Sequence, residues 1–74
     1  MKITYDTQAD ALYIKLQDGA FVRNKEMVEG VVLDLGDGDS LLGIEILDAS
    51  TRFSLKDLSN IDIQMPLHLA QTDA

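Results

Sequence analysis

Short segments in which apolar and polar residues alternate, each closed by a turn signal, constrain this 74-residue chain more than anything else in it. Successive side chains of a strand point to opposite faces, so such alternation marks half-buried strands. Residues 2–6 set Ile3 and Tyr5 on one face and Lys2, Thr4 and Asp6 on the other. After the polar link Thr7-Gln8-Ala9-Asp10, residues 11–17 place Leu12, Ile14 and Leu16 inward. Asp18-Gly19 predicts a hairpin turn, because glycine tolerates the positive φ of a tight primed turn. Residues 20–29 read as a weaker strand, opened by Phe21 and Val22 and closed by Met27 and Val28. The charged stretch from Arg23 to Glu26 predicts an edge or a bulge there. Residues 31–35 place Val31, Leu33 and Leu35 inward, Gly36-Asp37-Gly38-Asp39-Ser40 is the next turn, and residues 41–47 place Leu42, Ile44 and Ile46 inward. Val32, Leu41 and Leu47 fall on the opposite side, which predicts that a helix or another subunit covers part of it.

The period changes after Asp48. Asp48 is placed to cap one helical turn, Ala49 to Arg52, and Ser54 to cap a second, Leu55 to Ser59, with Asp57 favourably near its start. Asn60 ends the helical stretch. The tail from Ile61 to Leu69 then alternates at every step, and Pro66, lacking an N–H, suits an edge strand or an arm rather than a central strand. The predicted fold is α+β and mainly β: a small antiparallel sheet of about five to six short strands with one short helix near the C-terminus. It forms a single domain over 1–74, divided into a β core (1–50), a short helical segment (51–60) and a C-terminal edge strand or arm (61–70).

A chain this short buries only about 60 to 65% of the surface its unfolded form exposes. With no cysteine to staple it, oligomerisation is the natural way to bury more. An apolar edge in the tail points the same way, to docking on its own sheet or on a second subunit. The absence of cysteine fits the cytoplasm. No stretch approaches the roughly 20 apolar residues of a membrane span, and Met1 to Tyr5 lacks the apolar run of a signal peptide. The expectation is a cytoplasmic homo-oligomer with no membrane partner.

Charge is more informative by position than in total. The net charge is -7, yet Met1 to Lys25 carries four bases against three acids. From Glu26 to Asp48 there are seven acids and no base. Such a field repels phosphate backbones, which argues against nucleic acid, and favours a basic protein or a divalent cation.

Four stretches together carry a resemblance: Ile3-Thr4-Tyr5-Asp6, Ala9-Asp10-Ala11-Leu12-Tyr13-Ile14, Gly30-Val31-Val32-Leu33-Asp34 and Gly43-Ile44-Glu45-Ile46-Leu47-Asp48-Ala49-Ser50. Over residues 3–50 the chain resembles the bacterial and archaeal small-protein family designated domain of unknown function 2283. The resemblance implies a small β-rich sheet with a helical segment near the C-terminus, and it implies no activity. Some members of the family are encoded beside a small toxin-like protein, which implies an antitoxin-like role by association. The tail after Arg52 lies outside the pattern.

Reactive chemistry is sparse. Asp37-Gly38-Asp39 begins like a calcium loop, but positions 5 and 6 of that template fall on Leu41 and Leu42, so a turn is the better reading. Asp6, Asp10, Glu45 and Asp48 lie at strand ends and belong to the resembling stretches. Converging carboxylates would be weak candidates for a metal site or for acid–base chemistry. The ordinary alternative has Asp6 and Asp10 terminating a hairpin and Asp48 capping a helix. His68 lies on the polar face of the tail with no triad motif around it. Tyr5 and Tyr13 read as sheet-face or core residues, because no basic groove accompanies them. The reading is a non-catalytic interaction module without a cofactor, meeting a small basic protein through its acidic Glu26–Asp48 face. Its competitors are a carboxylate-based metal-binding or hydrolytic protein and a purely structural self-assembling oligomer. Convergence decides between the first two: catalysis needs acids gathered within a few ångströms, whereas a protein-binding face needs them spread.

Overall fold

A computed structural model describes residues 1–66. Five antiparallel strands form one sheet: β1 (Lys2–Asp6), β2 (Ala11–Lys15), β3 (Arg23–Val28), β4 (Val31–Leu35) and β5 (Leu41–Ile46). A single 3₁₀ turn, Asp37–Asp39, joins β4 to β5, and two four-residue helices follow, α1 (Ala49–Arg52) and α2 (Leu55–Leu58). The sheet order is β1-β2-β5-β4-β3.

That order corrects one expectation. Asp18-Gly19 does not close a hairpin, because β2 pairs with β5 and not with β3. Residues 16–22 instead cross the ends of β5 and β4 to reach the far edge. The Leu16 and Gln17 amides donate to the Leu42 carbonyl, and the Val22 amide donates to the Leu35 carbonyl. Gly19 does not adopt positive φ; its small size is used otherwise, since a Cβ there would lie 2.6 Å from the Leu42 side chain. Pairing Leu12 and Ile14 with Ile46 and Ile44 aligns the apolar rows of β2 and β5. A β2–β3 hairpin would have set them against charged Arg23 to Glu26. Phe21 and Val22 accordingly precede β3, and β3 is an edge strand with a bulge between Glu26 and Val28.

The register sorts every strand residue onto a face. Ile3, Ile14, Ile44, Leu33 and Lys25 form one row across the sheet, and Tyr5, Leu12, Ile46, Val31 and Val28 form the next row on that same face. The opposite face carries Thr4, Tyr13, Glu45, Val32 and Glu26 in one row and Lys2, Lys15, Gly43, Asp34 and Asn24 in the other. Phe53, Leu58 and Ile61 stand over Ile3, Leu12 and Ile14. The helical segment therefore lies on the apolar face, not on the side of Val32 where cover was expected.

Burial is shallow. Only Leu35, Leu42 and Ala49 are buried hydrophobic residues among those described. The first two lie beneath the 16–22 crossing, and Ala49 begins α1, its amide donating to the Asp10 carbonyl. The apolar-face residues of β4 and β5 other than Leu35 and Leu42 stay half-buried. The two helices are separate turns, broken where Phe53 is extended (φ -133°, ψ 150°). Single turns do not persist alone in water, so both depend on their anchors. Residues 61–66 form neither helix nor strand; the rest of the expected edge strand or arm, with His68, lies outside the described residues. Among the described residues no helix is long and apolar enough to cross a membrane.

Candidate functional site

The four acids singled out from the sequence occupy four different settings. Asp6 closes the β1–β2 loop: its carboxylate accepts from the Gln8 amide at 2.9 Å and the Ala9 amide at 3.1 Å. That is an Asx-type turn. Asp10 leaves the same loop with φ 51° and binds across the molecule. Its carboxylate accepts from the Tyr5 hydroxyl (2.6 Å), the Ser50 hydroxyl (2.7 Å) and the Ser50 amide (3.0 Å). The Tyr5 and Ser50 hydrogen bonds hold its carboxyl below the ordinary value of 3.8, while the same contact raises the Tyr5 phenol.

Asp48 stands at the N-cap position of α1 but in the left-handed region (φ 53°, ψ 43°), and its side chain caps nothing. Asp10 does that work from another loop. A left-handed residue aims its side chain away from the first amides of the helix, which is why the expected local cap is replaced by a remote one. Glu45 lies apart from all three, mid-strand on the face of Tyr13 and Val32. Among the described residues no group of three or more His, Cys, Asp or Glu side chains is arranged to hold a metal ion.

The more organised surface is the face around Tyr13. Tyr13 reaches across β5 and donates to the Asp34 carboxylate of β4 at 3.0 Å. Gly43 lies between them on β5, and a Cβ there would collide with the Tyr13 hydroxyl and ring and press to 3.0 Å on the Ile14 carbonyl. Partial burial, then the hydrogen bond to Asp34, push the Tyr13 phenol above its usual 10.0, with Glu45 adding to the shift and Lys15 opposing it. Glu26 and Glu45 thus flank Val32 in one row of this face, Asp34 lies in the next row, and Tyr13 stands beside Glu45 with its hydroxyl on Asp34. Among the described residues the ion pairs are Lys15–Asp18 and Arg23–Asp39, so none of these three acids is neutralised. Sequence reasoning placed Tyr13 on a sheet face but missed its partner. The signal was Gly43, a glycine inside a strand, which marks close approach by another group.

Residues 2–50 match the family described as "Protein of unknown function (DUF2283)", and the chain belongs to that family. It is also 39% identical, over 62 residues, to a Methanosarcina mazei protein named "Putative hypoxanthine phosphoribosyltransferase". The match covers 81% of this chain and 50% of that relative, so the chain spans half its length. No solved structure matches.

Proposed function

We propose that this family member is a non-catalytic interaction module, and that its acidic sheet face, Glu26, Asp34 and Glu45 around Tyr13 and Val32, meets a small basic protein. The supporting observation is that these three carboxylates share one face without a cationic partner among the described residues. Unpaired like charges on a rigid sheet cost little in water and attract cations of matching shape over several ångströms. The face also has an apolar centre in Val32 and the Tyr13 ring, as a protein contact needs. Of Asp6, Asp10, Glu45 and Asp48, the candidates for the competing carboxylate chemistry, Asp6 serves an Asx turn, Asp10 a remote helix cap and Asp48 a left-handed corner, while Glu45 stands apart from them in mid-strand on the acidic face. An antitoxin-like neutraliser is one form of this role. The activity in the relative's name concerns a protein of twice the matched length, and a phosphorylated substrate would meet a chain of net charge -7.

The test is capture from the cell's own lysate at low and high salt, with the wild-type chain and a Glu26→Gln/Glu45→Gln variant as baits. A basic protein held by the wild type at low salt, released at high salt and lost with the variant supports the role. Equal capture by both baits, or recovery of the bait alone, sinks it.

A further inference from the structure

We infer that the opposite, apolar face is closed by a second copy of this chain, in a two-fold dimer whose axis runs parallel to the strands. The inference rests on the reading of the chain as an interaction module and names the occupant of its other face. The apolar face has two unlike halves. Over β1 and β2, Phe53, Leu58 and Ile61 stand off the sheet and leave a cleft of about 220 Å³ above Ile3, Leu12 and Ile14, with Asp57 at its wall. At the β3–β4 turn α1 contributes Arg52, which donates to the Glu29 carbonyl, and the β3 rim carries Val28, 61% exposed, and Lys25, which has no ion pair among the described residues.

These halves fit each other and not themselves. Rotation by 180° about an axis along the strands lays the β3 side of one copy over the β1–β2 side of the other and keeps each residue at its level along the strands. Lys25 belongs to the row of Ile3 and Ile14, and Val28 to the row of Leu12. In the dimer Val28 therefore enters the cleft of the second copy and Lys25 reaches its Asp57. Symmetry makes the contact twice, as an isologous interface requires. Charge complementarity selects a second copy over an unrelated apolar partner, because the acid and the base that match are both on this face. The half-buried pairs Val31–Ile46 and Leu33–Ile44 are then covered.

Sedimentation equilibrium on the full chain tests this with charge-reversal variants. Wild type is expected to be dimeric, and Lys25→Glu or Asp57→Lys each to weaken association by about tenfold or more, since each places like charges together at both symmetric contacts. Mixing the two variants in equal amounts restores both pairs in a heterodimer, so the mixture is expected to associate as tightly as wild type. Rescue on mixing cannot come from a variant that merely fails to fold. A monomeric wild type, or a dimer that neither substitution weakens, overturns the inference. A monomer that still captures a basic partner through Glu26 and Glu45 overturns the dimer while leaving the acidic-face role standing.

Discussion

Two residues do more than their type announces. Asp10 ties the β1–β2 loop to α1 through Ser50 and to β1 through Tyr5. Its carboxyl is depressed in the folded state, so the stabilisation is present above the unfolded value near 3.8 and is lost as pH falls through the lower folded value. Asp10→Asn is therefore expected to lower denaturant stability at neutral pH, and its deficit against wild type to shrink below about pH 3.8. A deficit that does not change with pH would show that the charge plays no part. At Gly43 the demand is space. Gly43→Ala is expected to expel Tyr13 from Asp34 and cost about 1–3 kcal/mol in chemical denaturation. Adding Tyr13→Phe should then cost almost nothing more, because the hydroxyl has already lost its partner; additive losses would refute the coupling. Asp6 at a hairpin end was legible in the sequence, since an Asx turn is local. The reach of Asp10 to Ser50 and of Tyr13 to Asp34 was not, because 40 and 21 residues of chain separate the partners.

At the scale of elements, β1, β4 and the β4–β5 connection follow the sequence pattern closely, because alternation and turn residues are written within each segment. Strand order is not. Asp18-Gly19 has the composition of a hairpin, yet its neighbours gain more by pairing β2 with β5, and only the competition between whole strands decides that. The helices show the same division. Ser54 is legible as a cap and serves as one, accepting from the Asp57 amide at 3.1 Å. Ser54→Ala is expected to cost about 1 kcal/mol, seen as faster amide exchange in α2 with the sheet unchanged. Arg52 is a second anchor: its guanidinium donates to the carbonyls of Leu47 and Glu29, over Gly30, which turns with φ 81°. Arg52→Ala is expected to speed amide exchange at the Leu47 amide, which donates to the Gly30 carbonyl at 2.8 Å. Unchanged exchange there would show that the turn holds without the clamp.

For the molecule as a whole, one sheet presents two different surfaces. One is acidic around a hydrogen-bonded tyrosine, and the other is apolar, partly roofed and flanked by a lysine on one side and an aspartate on the other. The low burial of the single chain bears on the second: only Leu35, Leu42 and Ala49 are buried among the apolar residues described, and the proposed second copy would cover the rest of the apolar face. The most direct measurement is thermal unfolding of the wild-type chain across about a hundredfold range of protein concentration. Folding completed by a second copy predicts that the midpoint climbs with concentration, by several degrees for a domain of roughly this size. A midpoint that does not move with concentration would mean that one chain holds its fold alone, and would contradict the account.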